Sequence, residues 1–425
     1  MKNYTERDKK HLWHPLTQHG LKPDHLPLVR ARGSYLYDDK GKAYIDGISS
    51  WYTCMYGHCN PEITSRVKQQ LDQLDQVVFS GFTHPPAIEL SEKLVEILPG
   101  GINKIFFSDN GSTSVDVAIK MALQYHFNRG EKRNKIVALE NAFHGDTFGA
   151  MSVSGLSVYN GPFEDFLLEI ERIPVPDDLN MDALEMRFRQ ILEDQDVAAF
   201  IFEPLVQGAA AMHMYPAAHL EVLMELARSH GALTIADEVM TGFGKTGRNF
   251  ASDYLKEGPD IICLSKSLTA GVAPMALTCC SQNVFDAFYD KEVSKGFFHG
   301  HTYSANPLAC AAALAGMDLL ATETIQDSIQ RIAERHLQFE AEVKKHPMVK
   351  STRSLGVIFA LDLDIETERY GNLRDRLYRF FMDQGVFLRP LGNTIYLLPP
   401  FTITEEELTL LYASILNCLE MLSHE

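Results

Sequence analysis

No apolar run in the chain approaches the roughly 20 residues a bilayer-crossing helix requires, and Met1 to Trp13 is charged and polar with no apolar core of the secretory kind. Positive charge is also scarce. Against 56 acidic residues stand 39 Lys and Arg, a formal net charge of -17, and the densest basic stretch, Arg129 to Lys135, is interrupted by a Glu and an Asn. Without a basic stripe the surface cannot neutralise a phosphate backbone, which excludes nucleic acid as a partner. The cysteines number seven, an odd count, and four of them lie in or beside apolar runs. They read as reduced, mostly buried thiols of a cytoplasmic protein rather than as a disulfide framework. Neither a repeat nor a low-complexity tract is present. His58-Cys59 near Cys54, and His299 with His301, lack the spacing of a tetrahedral zinc site, and no metal is expected.

What is present is a globular composition, 45% hydrophobic and 22% charged over 425 residues, long enough for two domains. From about Ile105 to Ser281 short apolar runs alternate with segments of helical period, the pattern of βαβ units around a parallel sheet. The expected strands are Ile105–Ser108, Ile136–Glu140, Val197–Glu203, Ala232–Asp237, Ile261–Lys266 and Ala276–Ser281. Most lack clean alternation, so burial on both faces is expected. After Thr324 the rhythm changes to a long amphipathic helix, short strands over 356–363, 386–389 and 395–398, and a final helix from Glu405. The fold class predicted is α/β, with a mostly parallel central sheet flanked by helices on both faces and a smaller α+β domain drawn from both termini. The boundaries are 1–55 and 324–425 for the small domain and 56–323 for the large one.

In such sheets ligands gather beyond the carboxyl ends of the strands. Ile105–Ser108 runs into Asp109-Asn110-Gly111-Ser112-Thr113, where a helix opens; its free N–H groups suit a phosphate, and Gly111 permits close approach, while the segment taken alone reads more readily with Ser112 as an N-cap. Asp237 ends a strand in a dry region and requires a cationic partner, either a protonated ring nitrogen, the cation of a structural ion pair or a metal it ligates. Lys266 is the only Lys or Arg between Lys256 and Lys291; partly desolvated, it would become a nucleophile able to form a Schiff base. An anion cradle, a carboxylate and an amine at one sheet edge are the fittings pyridoxal 5'-phosphate needs. Gly242-Phe-Gly244-Lys245-Thr-Gly247 matches a dinucleotide pattern in letters only, because it follows Asp237-Glu238 instead of a bare strand end and opens no clear helix.

The run Ala236-Asp237-Glu238-Val-Met-Thr241-Gly242-Phe-Gly244, with Lys266 29 positions beyond Asp237, resembles the signature of class III, fold type I, pyridoxal-phosphate-dependent aminotransferases. Further matching segments are Leu12-Trp-His-Pro15, Asp46-Gly-Ile-Ser-Ser-Trp51, Phe143-His-Gly-Asp, Glu203-Pro-Leu-Val-Gln-Gly208, His299-Gly-His-Thr302 and Arg389-Pro390. The resemblance implies that Lys266 holds the cofactor covalently and shuttles a proton, and that Asp237 pairs with the pyridine nitrogen. It further implies that Gly111 and Ser112 bind the phosphate, that Thr302 of a second subunit completes that cradle in a homodimer, and that Phe143 stacks on the ring near Gln207. Arg389 would clamp the carboxylate of 8-amino-7-oxononanoate, with Trp51 and Gly300 lining the substrate and S-adenosyl-L-methionine as amino donor, a step of biotin biosynthesis. The chain departs from the pattern at Leu16, Phe143, Lys245 and His301, around the donor site. Alternative expectations are a class III enzyme acting on ω-amines such as ornithine, 4-aminobutyrate or β-alanine, or an aminomutase or decarboxylase on the same scaffold.

Overall fold

The computed structural model describes residues 3–21, 23–155, 161–368 and 371–424. Seven strands form the central sheet: β1 (Ile102–Ser108), β2 (Lys135–Leu139), β3 (Ile170–Ile173), β4 (Val197–Phe202), β5 (Leu233–Asp237), β6 (Ile261–Leu264) and β7 (Ala276–Ser281). Their order is β1-β7-β6-β5-β4-β2-β3. Only β7 runs antiparallel to its neighbours, so β1 points the same way as the other five. Every residue of β4, β5 and β6 is buried. That two-sided burial is why these runs carry no polar alternation.

The sheet exceeds the sequence-based expectation by one strand. β3 escapes because it sits at the edge beside β2, and its Ile-Glu-Arg-Ile pattern is only partly buried. The helix Gly111–Asn128 crosses one face of the sheet, while Pro307–Leu320 is buried on almost every side, against the helices Pro61–Leu71 and Pro85–Ile97. Among the described residues no single helix is long and apolar enough to cross a membrane.

The chain's two ends meet in one sheet, where Val386–Phe387 pairs in parallel with Ala43–Asp46 through Val386 to Ile45 and Phe387 to Asp46. The strand expected over 386–389 stops at Phe387. Pro390 has no N–H and restricts the residue before it, so Arg389 leaves the ladder and its side chain reaches solvent.

A second local departure is the turn Ser49–Tyr52, whose four φ angles, 49°, 46°, 68° and 69°, all lie in the left-handed region. Each such non-glycine residue costs roughly 1–2 kcal/mol, so the surroundings must over-determine the turn. They do: Ser49 Oγ donates to Leu398 O (2.8 Å), Ser50 Oγ to Asp46 Oδ2 (2.7 Å), Tyr52 OH to Tyr396 OH (3.0 Å), and Ser267 Oγ to Tyr52 O (2.9 Å). The turn presents Trp51 outward and buries Tyr52.

Candidate active site

The carboxyl ends of β1, β2, β4, β5 and β6 share one edge, and there the sequence places its polar groups. After β1, the helix Gly111–Asn128 is capped by Asn110: its side chain accepts from Thr113 N, and its own N–H donates to Thr113 Oγ1. Ser112 is therefore not the cap. Among the described residues the Gly111 and Ser112 N–H groups have no acceptor, and they open the positive end of an 18-residue helix. Gly111 lies so close to Val239 that a Cβ would meet it at 2.8 Å. Ser112 Oγ accepts from Asp146 N (3.1 Å), and Gly145, with φ 134°, leaves no space for a side chain because a Cβ would stand 2.0 Å from that oxygen.

Asp237 closes β5, almost fully buried; Oδ1 accepts from Val239 N (3.0 Å), and Oδ2 lies 2.7 Å from His144 Nδ1. His144 itself is buried and its Nε2 has no hydrogen-bond partner among the described residues. Neighbouring Phe143 donates its N–H to Glu203 Oε1 (2.9 Å), and Glu203 Oε2 accepts from Gly208 N (3.0 Å). Burial, reinforced by the nearby Asp237 charge and offset by His144 and the two N–H bonds, pushes the Glu203 carboxyl up to about 7. Gln207 Nε2 donates to Glu140 O (2.9 Å), and its buried Oε1 has no donor among the described residues.

Lys266 follows β6 by two residues, on the strand next to Asp237: Asp237 is in register with Cys263. Its backbone is left-handed, φ 51°. Nζ stands 5.3 Å from the centre of the Tyr52 ring and, among the described residues, makes no hydrogen bond or ion pair. Burial lowers its pKa, against the pull of the Asp237 and Glu203 charges, so the neutral nucleophilic amine is favoured.

Lys245 was expected to be a substituted cation beside the donor. The structure buries it completely instead, with Nζ donating to Gly242 O (2.5 Å) and to Ser267 Oγ. Burial and the charge of Lys266 hold its pKa well below the usual lysine range. It ties the glycine loop to the turn that begins at Lys266. Lys245→Met keeps the volume and leaves two buried acceptors unmet, so a loss of about 1–3 kcal/mol in urea unfolding is expected; an unchanged midpoint would show those bonds to be dispensable.

At the mouth, the Arg389 guanidinium lies 4.7 Å over the Trp51 ring. Gly300 is exposed with open space around its Cα. Thr302 is exposed as well, its carbonyl accepting from Gln76 Nε2 (2.9 Å), while adjacent His301 lies 3.3 Å from Asp109. The large surface cavity of about 600 Å³ lined by Pro99, Arg228, Asp260 and Ser281 is remote from these groups.

Sequence reasoning did not single out His144 or Tyr52. His144 stands between Phe143 and Gly145 in the loop that follows the apolar strand β2, and the flanking aromatic is a signal that the imidazole goes inside. Tyr52 gave no signal, because a run of left-handed residues has no sequence signature.

The residues present fit a flat, phosphorylated aromatic aldehyde. Two unclaimed helix N–H groups face the place for a phosphate, the orphaned Gln207 Oε1 can accept from a ring hydroxyl, and a buried carboxylate and a free amine stand on adjacent strands.

The chain belongs to the aminotransferase class-III family, whose model matches residues 17–419, and these are pyridoxal-phosphate-dependent transaminases. It is similar to curated relatives named adenosylmethionine-8-amino-7-oxononanoate aminotransferase. One from Synechococcus elongatus is 43% identical over 96% of this chain and 98% of that protein, and one from Geobacter sulfurreducens is 37% identical over 95% and 94%. A crystal structure of the aminotransferase of that name from Methanocaldococcus jannaschii superposes with a TM-score of 0.93 at 32% identity, covering 98% of each chain. The omega transaminase of Pseudomonas jessenii in complex with PMP gives a TM-score of 0.93 at 27% identity over 98% of each chain.

Proposed function

We propose that the chain transfers an amino group from S-adenosyl-L-methionine to the ketone of 8-amino-7-oxononanoate, giving 7,8-diaminononanoate for biotin biosynthesis in the cytoplasm. The observation that carries this reading is the line of three groups, Asp237 under the ring site, Lys266 beside it and Arg389 on Trp51 at the mouth. Bound pyridoxal phosphate supplies an aldehyde that takes up an amino group and a ring that draws electrons from the adjoining carbon. Lys266 Nζ is the nucleophile and the proton carrier at the substrate carbon, working from its neutral form. Asp237 keeps the ring nitrogen protonated, and His144 holds Asp237 in place. Gly111 and Ser112 hold the phosphate, Phe143 covers one ring face, and Gln207 accepts from the ring hydroxyl.

Thr302 contributed by a second copy of the chain closes the cradle. Phe298 and Tyr303, on either side of it, are 75% and 60% exposed, which favours burial in a homodimer. Arg389 presents a planar fork to the acceptor carboxylate, and Trp51 with Gly300 lines the path.

The test is product formation. Holoenzyme given both substrates should yield 7,8-diaminononanoate by mass spectrometry; transfer only from ω-amines such as 4-aminobutyrate or ornithine would replace this reading. Arg389→Ala should raise the acceptor KM ~10- to 100-fold, the value of a charge-assisted hydrogen bond, with the donor half-reaction unchanged. An unchanged acceptor KM would remove the carboxylate assignment.

A further inference from the structure

Four of the sixteen histidines fall within residues 11–25. Three groups from this stretch converge. A carboxylate oxygen of Asp8, on the helix Tyr4–His11, and a ring nitrogen each of His14 and His25 lie within 4.8 Å of one another. His14 Nε2 is 2.9 Å from both Asp8 oxygens, and the His14 and His25 ring centroids are 3.6 Å apart, with the ring planes tilted by 31°. His25 Nε2 is buried with no hydrogen-bond partner among the described residues. A buried nitrogen without a partner has lost its water and gained nothing in return, so its retention asks for a partner.

A fourth imidazole is close by. The His19 ring lies 6.0 Å from His14 and 6.3 Å from His25; its Nε2 accepts from His14 N–H (3.0 Å), which leaves Nδ1 for another bond. The Lys9–Asp24 ion pair, at 2.5 Å, brackets the cluster and joins the helix to the segment that carries His25. Asp8, His14 and His25 are only partly buried, so an ion can reach them.

We propose that Asp8, His14 and His25, with His19 as fourth donor, bind one divalent ion of the zinc class. Imidazoles with a single carboxylate suit a borderline ion that takes four ligands, and they do not suit the all-oxygen shell of Mg²⁺ or Ca²⁺. The ion replaces the proton shared between His14 Nε2 and Asp8, which leaves to solvent, and satisfies His25 Nε2. Donors of a tetrahedral Zn²⁺ stand about 3.3 Å apart, so side-chain rotation closes the cluster around it. The need for such a clasp is visible in the arm itself. Helix Tyr4–His11 buries no residue, and Trp13 is 91% exposed, so little apolar area holds the arm in place. A metal cross-link between residues 8 and 25 anchors it.

The experiment uses the full-length holoenzyme, treated with EDTA, dialysed and titrated with Zn²⁺ by calorimetry, with Co²⁺ as the spectroscopic probe. Expected are one Zn²⁺ per chain and a visible Co²⁺ band of tetrahedral type. His14→Ala/His25→Ala should weaken binding by at least ~100-fold and abolish the band. Zn²⁺ should also slow tryptic cleavage at Arg7 and Lys10 in the wild-type chain and not in the variant. Should the double variant unfold, the single His25→Gln change answers the same question. Absence of a stoichiometric ion, equal binding by folded wild type and variant, or an unaltered cleavage rate would each overturn the proposal. None of these readouts depends on transaminase activity.

Discussion

Lys266→Ala is expected to lower kcat by at least ~10⁴-fold, because the change removes a nucleophile and an acid-base group together. The physical basis is the isolation of the amine. Nζ lies against the Tyr52 ring and makes no hydrogen bond or ion pair among the described residues, and burial lowers its pKa, which shifts the amine toward the neutral form needed for attack. The same isolation predicts what the variant keeps. No hydrogen bond is lost, and alanine meets the left-handed backbone at residue 266 no worse than lysine does. The thermal midpoint should therefore stay at or above that of the wild type. Borohydride should fix the cofactor covalently in the wild type and not in the variant, read by the mass of the peptide spanning Ser265 and Lys266. A variant that retains activity within tenfold would remove Lys266 from the chemistry.

The central sheet was legible because strands buried on both faces are written as unbroken apolar runs, and the residues that end them stand out by contrast. Asp109 to Ser112, Asp237 and Lys266 lie at one edge for that reason, since β1, β5 and β6 point the same way. The antiparallel sense of β7 has no local signature: Ala276–Ser281 is as apolar as its neighbours, and only its connection decides its direction. β3 was hidden by its charged edge positions. The mouth was less legible. Trp51 meets Arg389 across 338 positions of chain, through a left-handed turn held by Leu398 and Tyr396 and a strand cut short by Pro390. Lys245 shows the limit from the other side. A lysine in a glycine loop reads as a surface cation, and only the packed structure reveals that its partners are a carbonyl and a hydroxyl in the interior.

Asp237→Asn should reduce kcat by ~10²- to 10³-fold while the chain still folds and still binds its cofactor. Both carboxylate oxygens are engaged, one by Val239 N–H and one by His144 Nδ1. An asparagine can keep its carbonyl on Val239 and turn its NH₂ toward His144, provided that the imidazole changes tautomer and carries its proton on Nε2. Among the described residues that nitrogen has no partner to forbid the change. The geometry of the pair survives, and what disappears is the negative charge. A neutral amide leaves the ring nitrogen of the cofactor without its counterion, and losing one member of a buried charge pair costs about 3–5 kcal/mol. Lys266 would lose the larger of the two opposing charges that raise its pKa, so its amine becomes more readily neutral, and a fall in rate cannot come from a shortage of nucleophile. Single-turnover rates with donor alone, together with the cofactor content of the purified variant, separate the two effects. Full cofactor content with a slow half-reaction places the cost on the ring. A rate within threefold of wild type would mean that the Asp237–His144 pair serves the fold and that no cation stands against it.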